Sequence, residues 1–136
     1  MLRLLKLKIR VCKGSRCAEV LGIANSGFIG EEPEILLPQN VIRFVLGEEF
    51  STVLVERVLA DGSRILIPRR DEALDVYAVT EDRVVGPVQS RAYVSSGELT
   101  LLNDKLLSSL RISIIDPGEG LWCFRDELGL KVRRGY

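Results

Sequence analysis

Charged and aliphatic residues alternate without a break over Lys6-Leu-Lys-Ile-Arg-Val11. A two-residue period puts Leu7, Ile9 and Val11 on one face of an extended strand and the charges on the other. Such a segment can bury one side only, so it needs a sheet around it. The same pattern recurs along the chain in short apolar or alternating runs cut by turn signals. Past a turn at Gly14, residues 17–23 read as the hairpin partner of the first strand, ending at Ala24-Asn-Ser-Gly27. Residues 35–37, 51–60, 63–68, 74–80, 84–94, 99–102, 111–115 and 121–124 read as further strands. Asp61-Gly62 between two β-rich runs is the strongest hairpin signal in the sequence. Gly86-Pro87 marks an interruption in the 84–94 run.

Helical spacing occurs twice. Pro38 opens one short helix with Val41, Ile42, Val45 and Leu46 on one face, and Gly47 closes it. Asn103 or Asp104 caps a second, through Leu106, Leu107 and Leu110. Many short strands with two short helices predict a mostly-β barrel filling one domain over residues 1–136, with a loosely ordered tail at 126–136. At 136 residues, 46% hydrophobic and 28% charged, the chain is long enough to bury a real core.

Composition narrows the chemistry. The chain has no histidine, which excludes Ser-His-Asp and Cys-His nucleophile systems and every His-ligated metal site. Ser26 has no base to activate it. Acid–base work falls to carboxylates, Lys, Tyr or Cys. Nineteen basic residues balance nineteen acidic ones, so no global field draws the chain to nucleic acid or an anionic membrane. Arg69-Arg70 and Arg133-Arg134 read as salt-bridged surface. No apolar run approaches the roughly 20 residues of a membrane span, and the charged N-terminal run does not read as a secretion signal. These features predict a cytoplasmic protein without membrane or nucleic-acid partners. Scarce Asn, Gln and Met fit a thermophile.

Three cysteines make no disulfide framework and fall short of a zinc site, so no cofactor or metal is expected. Cys12 and Cys17 flank Lys-Gly-Ser-Arg and would face each other across a hairpin as a disulfide. Cys123 reads as a small buried hydrophobe, and Trp122 as a core or dimer-interface residue.

Three ordered segments resemble the retropepsin-like, single-domain aspartic proteases, in particular their archaeal and bacterial members. Ile23-Ala-Asn-Ser-Gly-Phe-Ile-Gly30 is similar to the family's Asp-Thr/Ser-Gly active-site turn. Ile35-Leu-Leu-Pro-Gln-Asn-Val-Ile-Arg-Phe-Val-Leu-Gly47, followed by the Ala60-Asp-Gly62 hairpin, resembles its Leu-Pro helix and flap. Leu101-Leu-Asn-Asp-Lys-Leu-Leu-Ser-Ser-Leu110, leading to Ile112-Ser-Ile-Ile-Asp116, resembles its hydrophobic-hydrophobic-Gly segment, helix and closing strand. The resemblance spans residues 6 to 125. It implies an acid-protease-like closed barrel that completes its site as a homodimer, with a peptide or partner protein in the inter-subunit cleft. Phe28, Gly30, Ala60, Asp61, Gly62 and Asn103 would then lie on the ligand side, with the hairpin closing by strand addition.

Two positions depart from the family's pattern. Its catalytic aspartate falls on Asn25, and its glycine before the helix falls on Asn103; Ser26 and Gly27 keep the rest of the turn. In that family two carboxylates share a proton, one activating water and the other protonating the carbonyl oxygen. A carboxamide does neither. Acid and base each contribute about 10²–10⁴-fold, and a symmetric dimer loses both together. The expectation is a catalytically silent homologue. The alternatives are an aspartic endopeptidase whose residue 25 is altered here or regenerated by deamidation, and a structural dimerisation module. A further alternative is that a different carboxylate, such as Glu31, Glu32 or Asp61, serves in its place.

Overall fold

The computed structural model describes residues 4–48, 52–59 and 61–136; Ala60 lies outside the described residues. The chain is mostly β. Strand β1 (Lys6–Lys13) turns at Gly14 into β2 (Arg16–Ile23), with Cys12 directly opposite Cys17. Their sulfurs are bonded, so the pairing expected from the hairpin is present. β3 (Glu34–Pro38) runs straight into α1 (Gln39–Leu46), which buries Ile42 and Val45 and ends at Gly47, whose φ of 85° lies in the left-handed region. β4 (Thr52–Val58) and β5 (Arg64–Val79) form a hairpin, and β6 (Val84–Ser95) returns along β5. The three-residue β7 (Thr100–Leu102) leads into α2 (Asp104–Ser109). β8 (Ile112–Asp116), β9 (Leu121–Phe124) and β10 (Arg133–Arg134) make a separate three-stranded sheet.

Six strands close a barrel in the order β1-β2-β7-β3-β6-β5, and β5 pairs back onto β1. Closure removes the open edges of the sheet. β4 hangs outside the ring on β5 alone. β7 is inserted between β2 and β3, parallel to the first and antiparallel to the second. That insertion carries Leu101 beside Ile23 and sets the start of α2 next to the turn after β2.

The interior follows the alternation. Leu5, Leu7, Ile9 and Val11 are at most 1% exposed and meet Ile35, Leu37, Leu74, Val76, Leu102 and Leu106 in one cluster. Trp122, Cys123 and Phe124 are also buried, so Trp122 is a core residue.

Two strand boundaries differ from the sequence reading. Residues 63–68 and 74–80 are one strand, β5, which stays paired by shifting register between Arg69 and Ala73. That irregularity lets the strand bend from the hairpin into the barrel wall. The 84–94 run is likewise continuous despite Gly86-Pro87. Gly86 is required there, because a β-carbon would press on the Val76 carbonyl at 2.7 Å.

The tail is more firmly held than its polarity suggests. Arg133, half-sandwiched by the Trp122 and Phe124 rings, pairs with Asp82 and Glu127, each at 2.7 Å. Tyr136 N–H donates to the Lys6 carbonyl at 2.9 Å. Of the other basic pair, Arg70 is buried against Glu72 at 2.6 Å.

Candidate functional site

The β1–β2 ladder continues one step past β2, where Ala24 N–H donates to the Leu5 carbonyl at 2.8 Å. The next acceptor is a side chain. Leu5 N–H donates to Asn25 Oδ1 at 2.9 Å, so a side-chain carboxamide accepts where a backbone carbonyl would in a regular ladder. Ser26 Oγ accepts from Phe28 N–H at 3.3 Å, and Gly27 takes φ 78°, a conformation glycine adopts without penalty. The loop is then tied to α2: Asp104 N–H donates to the Phe28 carbonyl at 3.1 Å, and Gly30 N–H donates to Asp104 Oδ1 at 3.0 Å.

Between this turn and the β4–β5 hairpin lies a cleft of about 250 Å³. Ser26, Gly27, Phe28 and Ile29 form one wall; Val58, Leu59, Ile65 and Ile67 form the other; Leu36 and Leu101 also line it. One charged side chain, Arg57, joins the lining, and no carboxylate does among the described residues. A larger cavity of about 440 Å³ lies elsewhere, between β2, α1 and the turn before β7. It touches neither the turn nor the hairpin.

Arg57 is anchored from behind. Its guanidinium pairs with Glu34 Oε2 at 2.5 Å and donates to the Tyr93 hydroxyl. Tyr93 O–H in turn donates to Glu34 Oε2 at 2.6 Å. Glu34 is 1% exposed. Burial, and then the hydrogen bond to Glu34, push the Tyr93 phenol up to about 12. Phe28 meets Tyr93 edge-on at 6.0 Å between ring centroids. The hairpin, β3, β6 and the turn are thus joined through one polar cluster beside the cleft.

The structure brings part of the expected site together. Ser26, Gly27 and Phe28 line the cleft, and Asn25 immediately precedes them. Asp61 and Gly62 lie at the hairpin tip and do not line the cavity. Asp61 is occupied with Ser63, whose hydroxyl and N–H hold its carboxyl below the usual range. Gly30 does not line the cleft; it packs against the Glu34 carboxylate. Asn103 is fully buried, contrary to a ligand-binding role. Its Oδ1 accepts from Leu106 N–H and Glu34 N–H, both at 2.9 Å, and its Nδ2 donates to the Glu32 carbonyl at 2.8 Å. It caps the helix and braces the loop through side-chain bonds that a glycine has no atoms to make. The substitute carboxylates Glu31 and Glu32 are also absent from the cleft lining.

Sequence reasoning missed Arg57, Glu34 and Tyr93. One signal was present: Arg57 shares the strand face of Val53 and Val55, where an aliphatic residue is expected. Comparison with known proteins finds no matching family model and no matching curated protein.

Proposed function

We propose that this chain is a catalytically silent, acid-protease-like barrel that acts as a homodimer and binds an extended peptide or partner protein in the cleft beneath its hairpin. One observation carries the reading. A concave, largely apolar site lies between the Asn25-Ser-Gly27 turn and the hairpin, yet among the described residues nothing in its lining can activate water. Asn25 holds the place of a general base with a group that does not take up a proton near neutral pH. Two carboxamides meeting at a two-fold axis pair without charge repulsion, so assembly stays insensitive to pH between about 3 and 6, where a carboxyl dyad would titrate.

The test is an assay of peptide hydrolysis across pH 3–7 alongside sedimentation. The unmodified chain is expected to be dimeric throughout and inactive. Asn25→Asp is expected to gain cleavage that a transition-state peptide inhibitor blocks. Hydrolysis by the unmodified chain, or a monomer at every pH, overturns the reading.

A further inference from the structure

Barrel closure leaves β4 with a free side. It is bonded to β5 along one edge, and no other strand follows it in the sheet. Leu59 N–H donates to the Ser63 carbonyl at 2.8 Å, which makes Arg57–Ile65, Val55–Ile67 and Val53–Arg69 the hydrogen-bonded pairs of the hairpin. The residues between them, Thr52, Leu54, Glu56 and Val58, turn their N–H and C=O groups away from β5. Among the described residues none of these groups has a partner.

Edges of this kind are usually blunted by Lys, Pro, a bulge or a covering element. The β4 sequence, Thr-Val-Leu-Val-Glu-Arg-Val, holds no Lys, Pro or Gly, and its register with β5 runs unbroken. Its two charges are occupied inside the chain, Glu56 with Arg64 at 2.8 Å and Arg57 with Glu34. Leu54 and Val58 stand exposed on the same face as exposed Leu66.

The strand is complementary to itself. Two copies related by a two-fold axis at Val55 set Thr52 against Val58 and Leu54 against Glu56, so every outward N–H and C=O finds a partner. Val55 then faces its own copy and Arg57 faces Val53, and no like charges stand opposite. The neighbouring registers are worse. An axis at Leu54 leaves Val58 beyond the end of the second strand, and an axis at Glu56 sets two carboxylates against each other.

We propose that β4 is a homotypic docking edge: it adds the β4 strand of a second copy of this chain, antiparallel and centred on Val55, so that one sheet runs across both molecules. The inference does not rest on the dimer proposed above. Its axis lies on the hairpin's outer edge and not at Asn25, so it links such dimers into larger assemblies as concentration rises.

Hydrogen exchange followed amide by amide in dilute and concentrated samples tests it. Thr52, Leu54, Glu56 and Val58 are expected to exchange at least about tenfold more slowly in the concentrated sample, while Val53, Val55 and Arg57, held by β5, do not change. Sedimentation should show the larger species. Leu54→Pro removes an outward N–H and no bond to β5, and should lose that species; Leu54→Thr keeps the N–H and should retain it. Cross-linking in oxidised glutathione reads the register: Val55→Cys is expected to form the intermolecular disulfide faster than Leu54→Cys, although Leu54 is the more exposed. Faster cross-linking at residue 54, or four amides that exchange alike at both concentrations, overturns the proposal. Dimers that persist in that case leave the Asn25 reading standing. Protection gained by a chain that is monomeric when dilute keeps the strand interface and overturns the Asn25 dimer.

Discussion

Asn25 and Leu5 are joined by a side-chain-to-backbone hydrogen bond of 2.9 Å at the point where the first hairpin enters the site. Leu5 is fully buried, so its N–H has no solvent to fall back on. Removing the acceptor leaves a buried donor unsatisfied, which costs about 1–3 kcal/mol. Asn25→Ala is expected to lower stability by that amount in urea unfolding. Asn25→Asp keeps an oxygen in place and is expected to change stability by less than about 1 kcal/mol at neutral pH. The pair of variants separates the residue's structural duty from its chemical one.

Gly30 carries a second constraint. A β-carbon there would fall well inside contact distance of Glu34 Oε1, and 2.9 Å from Asn103 Nδ2. A flexible carboxylate could swing aside, but this one is held by Arg57, Tyr93 and Asn103. Gly30→Ala is therefore expected to cost about 1–3 kcal/mol, in the range of overpacked cores. Gly97→Ala is the control: its nearest neighbour would be 4.0 Å away, and it should be close to neutral. Thermal unfolding of the two variants checks both.

The order of strands and both helices could be read from the chain because they rest on local pattern. Leu7, Ile9 and Val11 do point inward, and Asn103 does cap the second helix. Two features were hidden. Barrel closure joins β1 to β5 through pairs such as Ile9 with Ala78, and neither residue carries a local sign of the other. Glu34 sits at the end of an acidic, proline-broken run that reads as solvated loop. Its burial depends on Arg57, Tyr93 and Asn103, which come from three separate elements. The same limit applies to the cleft. The turn was legible as a tripeptide, but the aliphatic wall opposite it comes from the hairpin's folding over the barrel.

Arg57 and Glu34 form an ion pair that is buried at one end and 26% exposed at the other. Deleting either charge alone strands its partner, and the Glu34 side is the costlier to expose. A double-mutant cycle with Glu34→Gln and Arg57→Met should return a coupling energy of about 1–3 kcal/mol in unfolding experiments. The double variant should be more stable than the sum of the singles implies. Strict additivity would show that the hairpin is held by its β5 pairing alone.

Acid should act first on the tail. Arg133, helped by the Phe124 N–H and against the opposing effect of burial, holds the Glu127 carboxyl at about 2, against an ordinary value of 4.5. Asp82 is likewise held well below the usual carboxylate range by Arg133 and Lys131. A carboxylate whose folded value is depressed contributes stability that is complete above its unfolded value. The contribution is lost as pH falls through the folded one. For Glu127 the window runs from about pH 4.5 down to about 2. Unfolding midpoints measured from pH 6 to pH 2 should therefore decline for the unmodified chain through that interval. Arg133→Met should start lower and decline less, because the bonds that depress both carboxyls are gone. In hydrogen exchange at pH 3, the Gly135 and Tyr136 amides should lose protection before the β1–β5 closure does, since they are bonded to Gly120 and Lys6 at the end of the segment that Arg133 clamps. Parallel pH curves for the two proteins would mean that the tail is held by its main-chain bonds and the Trp122 and Phe124 contacts, with the ion pairs adding nothing.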